Sequence, residues 1–260
     1  MKGYVLLGIV SIVTLSALAQ PSIVNGGVVN GASFAQGQAV APGSLVSIFG
    51  SGLASGLAVA DSIPLSTSIN GVTVTFNNIP APLLFVSGGQ INAQLPWELP
   101  AGNASVVVTT NGAASPPASI PVAPMSPGVF STASGQAIAI NNTDGTLAAP
   151  ADSIAGLTTH PANRGDAVII YADGLGPVTP AVPDGQIAGA NPLAVTVNMP
   201  IVTVGGVQAQ VLFSGLTPQF VGVNQVNIIV PQTAPTGGQV PLQIQVGGVT
   251  SAANVTMAVQ

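Results

Sequence analysis

Cysteine is absent from all 260 residues, so no disulfide contributes to stability and the apolar core must carry the fold alone. Charge is scarce as well. Lys2 and Arg164 are the only strong bases and seven acids oppose them. Charged residues are 3% of the chain, against roughly a quarter in average globular proteins. Without clustered Lys or Arg there is nothing to neutralise nucleic-acid phosphates or to bind an anionic bilayer, which excludes both as partners. One histidine and no thiol leave zinc and copper without their usual ligands. Helical patterning is missing too: no window shows a 3.6-residue apolar period, and 23 prolines would interrupt most helices. So few titratable groups also predict a fold whose stability changes little between mildly acidic and neutral pH.

What the chain has is apolar residue in quantity, 47% of it, which separates it from disordered sequences of low hydrophobicity. Solubility then falls to Ser, Thr, Asn and Gln on outward strand faces. Residues 1–19 read as an export signal. Lys2 is the positive start, an apolar stretch follows over 5–18, and Ala17-Leu18-Ala19 offers small residues for cleavage before Gln20. At about 14 residues the stretch is short for the roughly 20 that span a bilayer. No second run of that length follows, so no membrane span is expected after cleavage.

The rest of the chain repeats itself. Pro42-Gly43-Ser44-Leu45-Val46-Ser47-Ile48-Phe49-Gly50-Ser51-Gly52-Leu53 returns as Arg164-Gly165-Asp166-Ala167-Val168-Ile169-Ile170-Tyr171-Ala172-Asp173-Gly174-Leu175. Gln90-Ile91-Asn92-Ala93-Gln94-Leu95-Pro96 returns as Gln225-Val226-Asn227-Ile228-Ile229-Val230-Pro231. The offset between copies grows from 122 through 128 to about 135 residues, with the growth after Leu175 and after Phe213, so the second copy has longer loops there. Short period-two runs bounded by Gly, Pro, Asn and Ser predict strands at 45–49, 72–76, 83–86, 91–95 and 105–109. Their partners fall at 168–171, 201–204, 211–213, 226–230 and 242–246. This is an all-β chain of two tandem antiparallel β-sandwich domains, expected over 20–124 and 125–260, with a proline-rich boundary near 122–128.

Six ordered motifs are distinctive: Asn-Gly-Ala-Ser-Phe (30–34), Ala-Pro-Gly-Ser-Leu-Val-Ser-Ile-Phe-Gly (41–50), Pro-Ala-Pro-Leu-Leu-Phe-Val-Ser (80–87), Gly-Gln-Ile-Asn-Ala-Gln-Leu-Pro-Trp-Glu (89–98), the segment 164–178, and Val-Asn-Gln-Val-Asn-Ile-Ile-Val-Pro (223–231). Together they resemble the Solibacter-type C-terminal domain of secreted acidobacterial proteins. Each half also resembles an IPT/TIG domain, whose opening Pro-Gly…Gly-Leu pattern sits at Pro42-Gly43…Gly52-Leu53. The resemblance implies immunoglobulin-like sandwiches used for adhesion, spacing and protein contacts rather than catalysis.

Candidate chemistry is sparse. His160 with Asp166 and many serines lacks the Gly-x-Ser-x-Gly elbow of a hydrolase triad. Glu98 is the sole glutamate, and no motif pairs it with a second acid for glycoside hydrolysis. Arg164-Gly165-Asp166 matches the pre-strand turn Pro42-Gly43-Ser44 and reads as a turn. Calcium, which favours oxygen ligands, is the best metal option, with Asp144, Asp166, Asp173 and Asp184 as candidate ligands near turns. Trp97 and Glu98 are the candidate ligand-binding pair. Trp97 is the only tryptophan, and Gln232 takes its place in copy two. The indole serves either as a plug in the seam between domains or as a carbohydrate platform. Residues shared by both copies read as fold determinants, which would put any site in the differences between copies or at the seam. The expected function is an exported non-enzymatic module at the cell surface or outside it. Its partner would be an envelope or extracellular protein or glycan, or another copy through sheet edges that carry no lysine. A carbohydrate-binding accessory role and, more remotely, a secreted hydrolase are the alternatives.

Overall fold

The computed structural model describes residues 20–260, and the expected export signal lies outside the described residues. No helix occurs among them. In the first copy two antiparallel sheets face each other. One runs in the order Ser22–Asn30, Leu45–Ser51, Gln90–Gln94, Leu83–Val86, Ala58–Val59. The other is built on Gly102–Thr110, with Val72–Phe76 on one side and Ala118–Val122 also paired to it. Alternation decides which residues face inward. Val46, Ile48, Ile91 and Ala93 of the first sheet meet Val74, Phe76, Val106 and Val108 of the second, all fully buried.

The second copy repeats the pairing register residue for residue. Leu45 pairs with Gln94 and Ile48 with Ile91; at the corresponding places Ala167 pairs with Ile229 and Ile170 with Val226. In the other sheet Val74 opposite Val108 becomes Val202 opposite Ile244. Even the irregularity is kept, because the register shift between Leu83 and Phe85 recurs between Val211 and Phe213. The second core, around Val168, Ile170, Val226, Ile228, Leu242 and Ile244, is separate from the first. Each large aliphatic chain buried here contributes about 2 kcal/mol. The molecule is thus two tandem immunoglobulin-like antiparallel β-sandwiches.

One difference has a local cause. In copy two a single strand, Val207–Leu216, pairs with Ile201–Val204 at its start and with Asn224–Ile229 further on, so it passes from one sheet to the other. In copy one the same path is split into Ile79–Pro80 and Leu83–Val86. Pro82 stands where copy two has Gln210. Its carbonyl still accepts the Gln94 N–H at 2.8 Å, but it has no N–H of its own to continue the ladder. Strand Ser22–Asn30 was not predicted. Its register shifts between Ile23 and Val28, across Gly26-Gly27, which hides the period-two pattern.

Candidate functional site

The seam between the copies is built largely from residues that only one copy possesses. Trp97 follows the strand Gln90–Gln94 and lies flat over Gly43, whose backbone is in the left-handed region at φ 76°. A side chain on Gly43 would collide with the indole ring, so this position needs glycine twice over. In copy two the same contact is Gln232 over Gly165. The elaboration from Gln to Trp lets the indole reach across the seam, where it packs against the apolar cluster Val178, Ala188, Ala194 and Leu216. Its Nε1 is buried without a protein partner.

Polar contacts fix the same seam. The loop after Leu175, six residues longer than its counterpart in copy one, carries Asp184 and Gly185. The Trp97 N–H donates to Asp184 Oδ1 at 3.1 Å, and the Gly185 N–H donates to Gln94 Oε1 at 2.7 Å. Gln94 Nε2 in turn donates to the Gly43 carbonyl at 3.2 Å, so this buried amide ties the glycine under Trp97 to the other domain. Gln94 was missed in the sequence. Its copy-two equivalent, Ile229, is the only signal that could have marked it. Further round, the Leu45 N–H donates to Asp173 Oδ1 at 3.1 Å and Asn30 Nδ2 donates to the Ser126 carbonyl at 3.1 Å.

The four aspartates expected as oxygen ligands are not gathered. Asp144 bonds His160 Nε2 at 2.6 Å, Asp166 accepts from Asn163 Nδ2 at 2.7 Å, Asp184 sits at Trp97, and Asp173 is walled into the seam. Among the described residues no three His, Cys, Asp or Glu side chains come together as a cation site. Each of the four acids lies at a different turn or strand end. Arg164-Gly165-Asp166 is a pre-strand turn, closed by the Gly165 N–H donating to the Val230 carbonyl.

Protonation follows from these surroundings. Burial pushes the Asp173 carboxyl up to about 8, against which only backbone N–H groups of Leu45 and Gly174 act, and its Oδ2 has no protein partner. Asp184 is raised to about 6, chiefly by burial and also by the Glu98 carboxylate beside it. The hydrogen bond from His160 holds Asp144 down at about 2, and Asp144 in turn raises His160. Glu98 is exposed, while Trp97 is half-buried and edges a shallow groove of about 230 Å³ with Pro42, Leu99 and Pro177. The arrangement docks two domains.

Both copies also turn the same row of neutral side chains outward. Phe49 is paired with Gln90, and Tyr171 with Gln225. Exposed Phe34 packs on Phe49 and exposed Phe220 on Tyr171, each with ring centroids 6.3 Å apart.

The class this fold defines is the immunoglobulin-like β-sandwich array. The family model described as IPT/TIG domain matches residues 28–122, the first sandwich. No curated protein matches the chain. Among solved structures, SGBP-B of the Bacteroides ovatus mixed-linkage glucan utilization locus, in complex with a mixed-linkage heptasaccharide, is similar at 11% identity and TM-score 0.35, covering 85% of this chain and 43% of that one. SGBP-B from a complex xyloglucan utilization locus in Bacteroides uniformis is similar at 15% identity and TM-score 0.25, covering 91% and 49%. Domains 5–6 of the S-layer protein SbsC are similar at 13% identity and TM-score 0.30, covering 92% and 98%. The chain thus spans less than half the length of either SGBP-B, and at these scores the likenesses assign neither ligand nor partner.

Proposed function

We propose that this chain is an exported, non-enzymatic interaction module that works at the cell surface or in the extracellular matrix through the faces of its two docked sandwiches. The observation that carries this reading is where the charge goes. Asp173 is the only carboxylate in any strand of the described residues, no strand holds a Lys, Arg or His, and Asp173 is buried in the seam. The copy-specific residues Trp97, Gln94 and Asp184 are likewise engaged in docking. What remains for a partner is the neutral outward strand surface. The IPT/TIG match over the first sandwich supports the same class of role. Co-sedimentation of residues 20–260 with insoluble envelope and matrix fractions tests it. The chain is expected in the pellet of at least one fraction. A chain that stays in every supernatant, or that hydrolyses a polymer in those fractions, contradicts the proposal.

A further inference from the structure

The outward rows on the two sandwiches have more in common than a shared ancestor requires. In copy one, Gln90 Nε2 donates to Asn92 Oδ1 at 2.8 Å, and Ser47 Oγ donates to the same oxygen at 3.1 Å. In copy two, Gln225 Nε2 donates to Asn227 Oδ1 at 2.9 Å. The bond orients both amides. It leaves the Asn Nδ2 hydrogens and the Gln Oε1 without a protein partner on a half-buried surface, as a preset donor and acceptor. An aromatic ring flanks this amide pair on each side. Phe49 is directly opposite Gln90 and Phe85 directly opposite Asn92; Tyr171 stands opposite Gln225 and Phe213 opposite Asn227.

Duplication explains those positions, but it does not explain Phe34 and Phe220. Phe34 lies in the loop ahead of strand Leu45–Ser51, whereas Phe220 lies in the turn between Val207–Leu216 and Asn224–Ile229. The two are not repeat partners. Yet each brings an exposed ring, 51% and 55% accessible, onto the equivalent outward aromatic of its own copy. Phe34 does so from φ 52°, an unfavourable backbone for a bulky residue. It is held there by Asn30, whose Oδ1 accepts the Ala32 and Ser33 N–H groups at 2.9 Å each. Two unrelated segments thus each set an exposed ring against a half-buried outward aromatic beside the same amide pair, tilted by 45° in copy one and edge-on at 77° in copy two.

We infer that each sandwich carries a binding platform for a neutral polysaccharide. It is formed in copy one by Phe34, Phe49, Gln90 and Asn92, and in copy two by their counterparts around Tyr171 and Phe220. Aromatic faces stack on the C–H faces of pyranose rings, while the amides exchange hydrogen bonds with hydroxyls. Charge selects the ligand class. None of the platform residues is a carboxylate, an amine or a guanidinium, and Asp173, which shares the parity of Tyr171, is fully buried, so a neutral chain loses no ionic solvation on binding and a uronic-acid polymer finds no counter-charge. The seam keeps both platforms in one unit. Gly222, two residues beyond Phe220, seats against Leu45, which shares its strand and its outward parity with Phe49. One chain can therefore engage one polymer at two places, with a gain from effective concentration.

This inference rests on the interaction-module reading, and its test separates the two. Affinity electrophoresis of residues 20–260 is run in gels containing galactomannan, xylan, hydroxyethyl cellulose or dextran, with polygalacturonate as the anionic control. At least one neutral polymer is expected to retard the chain and polygalacturonate to leave it unretarded. Phe34→Ala and Phe220→Ala, both at exposed rings, should each weaken retardation about five-fold, the scale of one aromatic contact. The double variant should lose it, with unchanged circular dichroism. Asn92→Ala should weaken it similarly through the amide. Retardation by no neutral polymer, or retardation unchanged in the double variant, overturns the platforms. If the parent chain pellets with an envelope protein fraction while no neutral polymer retards it, the module reading stands and this inference fails. Loss of a protein partner or of self-association in the double variant, without any polymer binding by the parent chain, likewise assigns the faces to protein contacts and overturns it.

Discussion

Asp173→Asn should make the protein much more stable at pH 8 and only modestly more stable at pH 5. Asp173 ends the strand Ala167–Asp173, is fully buried, and accepts the Leu45 N–H from the neighbouring domain. Its carboxyl keeps its proton up to about pH 8 in the folded chain, while the unfolded chain releases it near 3.8. The folded state therefore binds more protons between those values. Stability present below about pH 4 is lost progressively until about pH 8 and stays level above. Four pH units at about 1.4 kcal/mol each give roughly 6 kcal/mol, a large share of the 5–15 kcal/mol of a typical domain. The asparagine keeps the Oδ1 acceptor for Leu45 and removes the titration. It should thus gain about 5 kcal/mol over the parent at pH 8, and only about 2 kcal/mol at pH 5. Urea unfolding followed by the fluorescence of Trp97, the sole tryptophan and itself at the seam, reads the transition that matters. A parent chain whose stability is flat from pH 5 to 8, or a variant that keeps the parent's slope, refutes the reasoning. The near absence of titratable residues predicted a pH-insensitive fold; this buried acid is the physical reason to expect otherwise.

Removal of the seam plug, Trp97→Ala, should cost about 2 kcal/mol, less than a fully buried Trp because the indole is half-exposed. Faster limited proteolysis near Ala123 and Met125 should accompany it, and equal cleavage rates would speak against a seam role. The His160 imidazole should titrate above its ordinary 6.5 by NMR, and Asp144→Asn, which removes the largest cause, should lower it. That pair's contribution is complete between about pH 4 and 6.5. It is lost as pH rises through the raised histidine value and as it falls toward the depressed Asp144 value near 2. An unchanged histidine titration in the variant would contradict the pairing. Ile48→Ala and Ile170→Ala occupy the same register in two sealed cores and should each cost about 2–5 kcal/mol by calorimetry. A difference between them far beyond 1 kcal/mol would argue that the two cores are not equivalent.

The architecture was legible because glycines, prolines and alternating aliphatics are what a sheet needs locally. Strands Val72–Phe76, Leu83–Val86 and Ile201–Val204 match their predicted bounds. Ser22–Asn30 was not legible because Gly26-Gly27 interrupts its alternation. Val207–Leu216 came out longer than its predicted core of 211–213, since Gln210 keeps the N–H that Pro82 lacks. Sites were harder to read. The aspartates looked like neighbours in sequence, but antiparallel turns send them to different places. Trp97 at the seam was one of the two readings open for it. The outward rows were set aside because shared residues were read as fold determinants, whereas in a strand every second shared residue faces solvent. Phe34 and Phe220 could not be matched by comparing copies at all, because they reach equivalent positions from unrelated loops.

On the reading proposed above, duplication gave this chain two equivalent outward faces which do its binding. The most direct test of that reading is the stoichiometry with a short oligosaccharide cut from whichever neutral polymer retards the chain, measured by isothermal titration calorimetry. Two sites per chain are expected, one weakened about five-fold in Phe34→Ala and the other in Phe220→Ala. A single site that persists in both variants, or no heat at all, would contradict that reading.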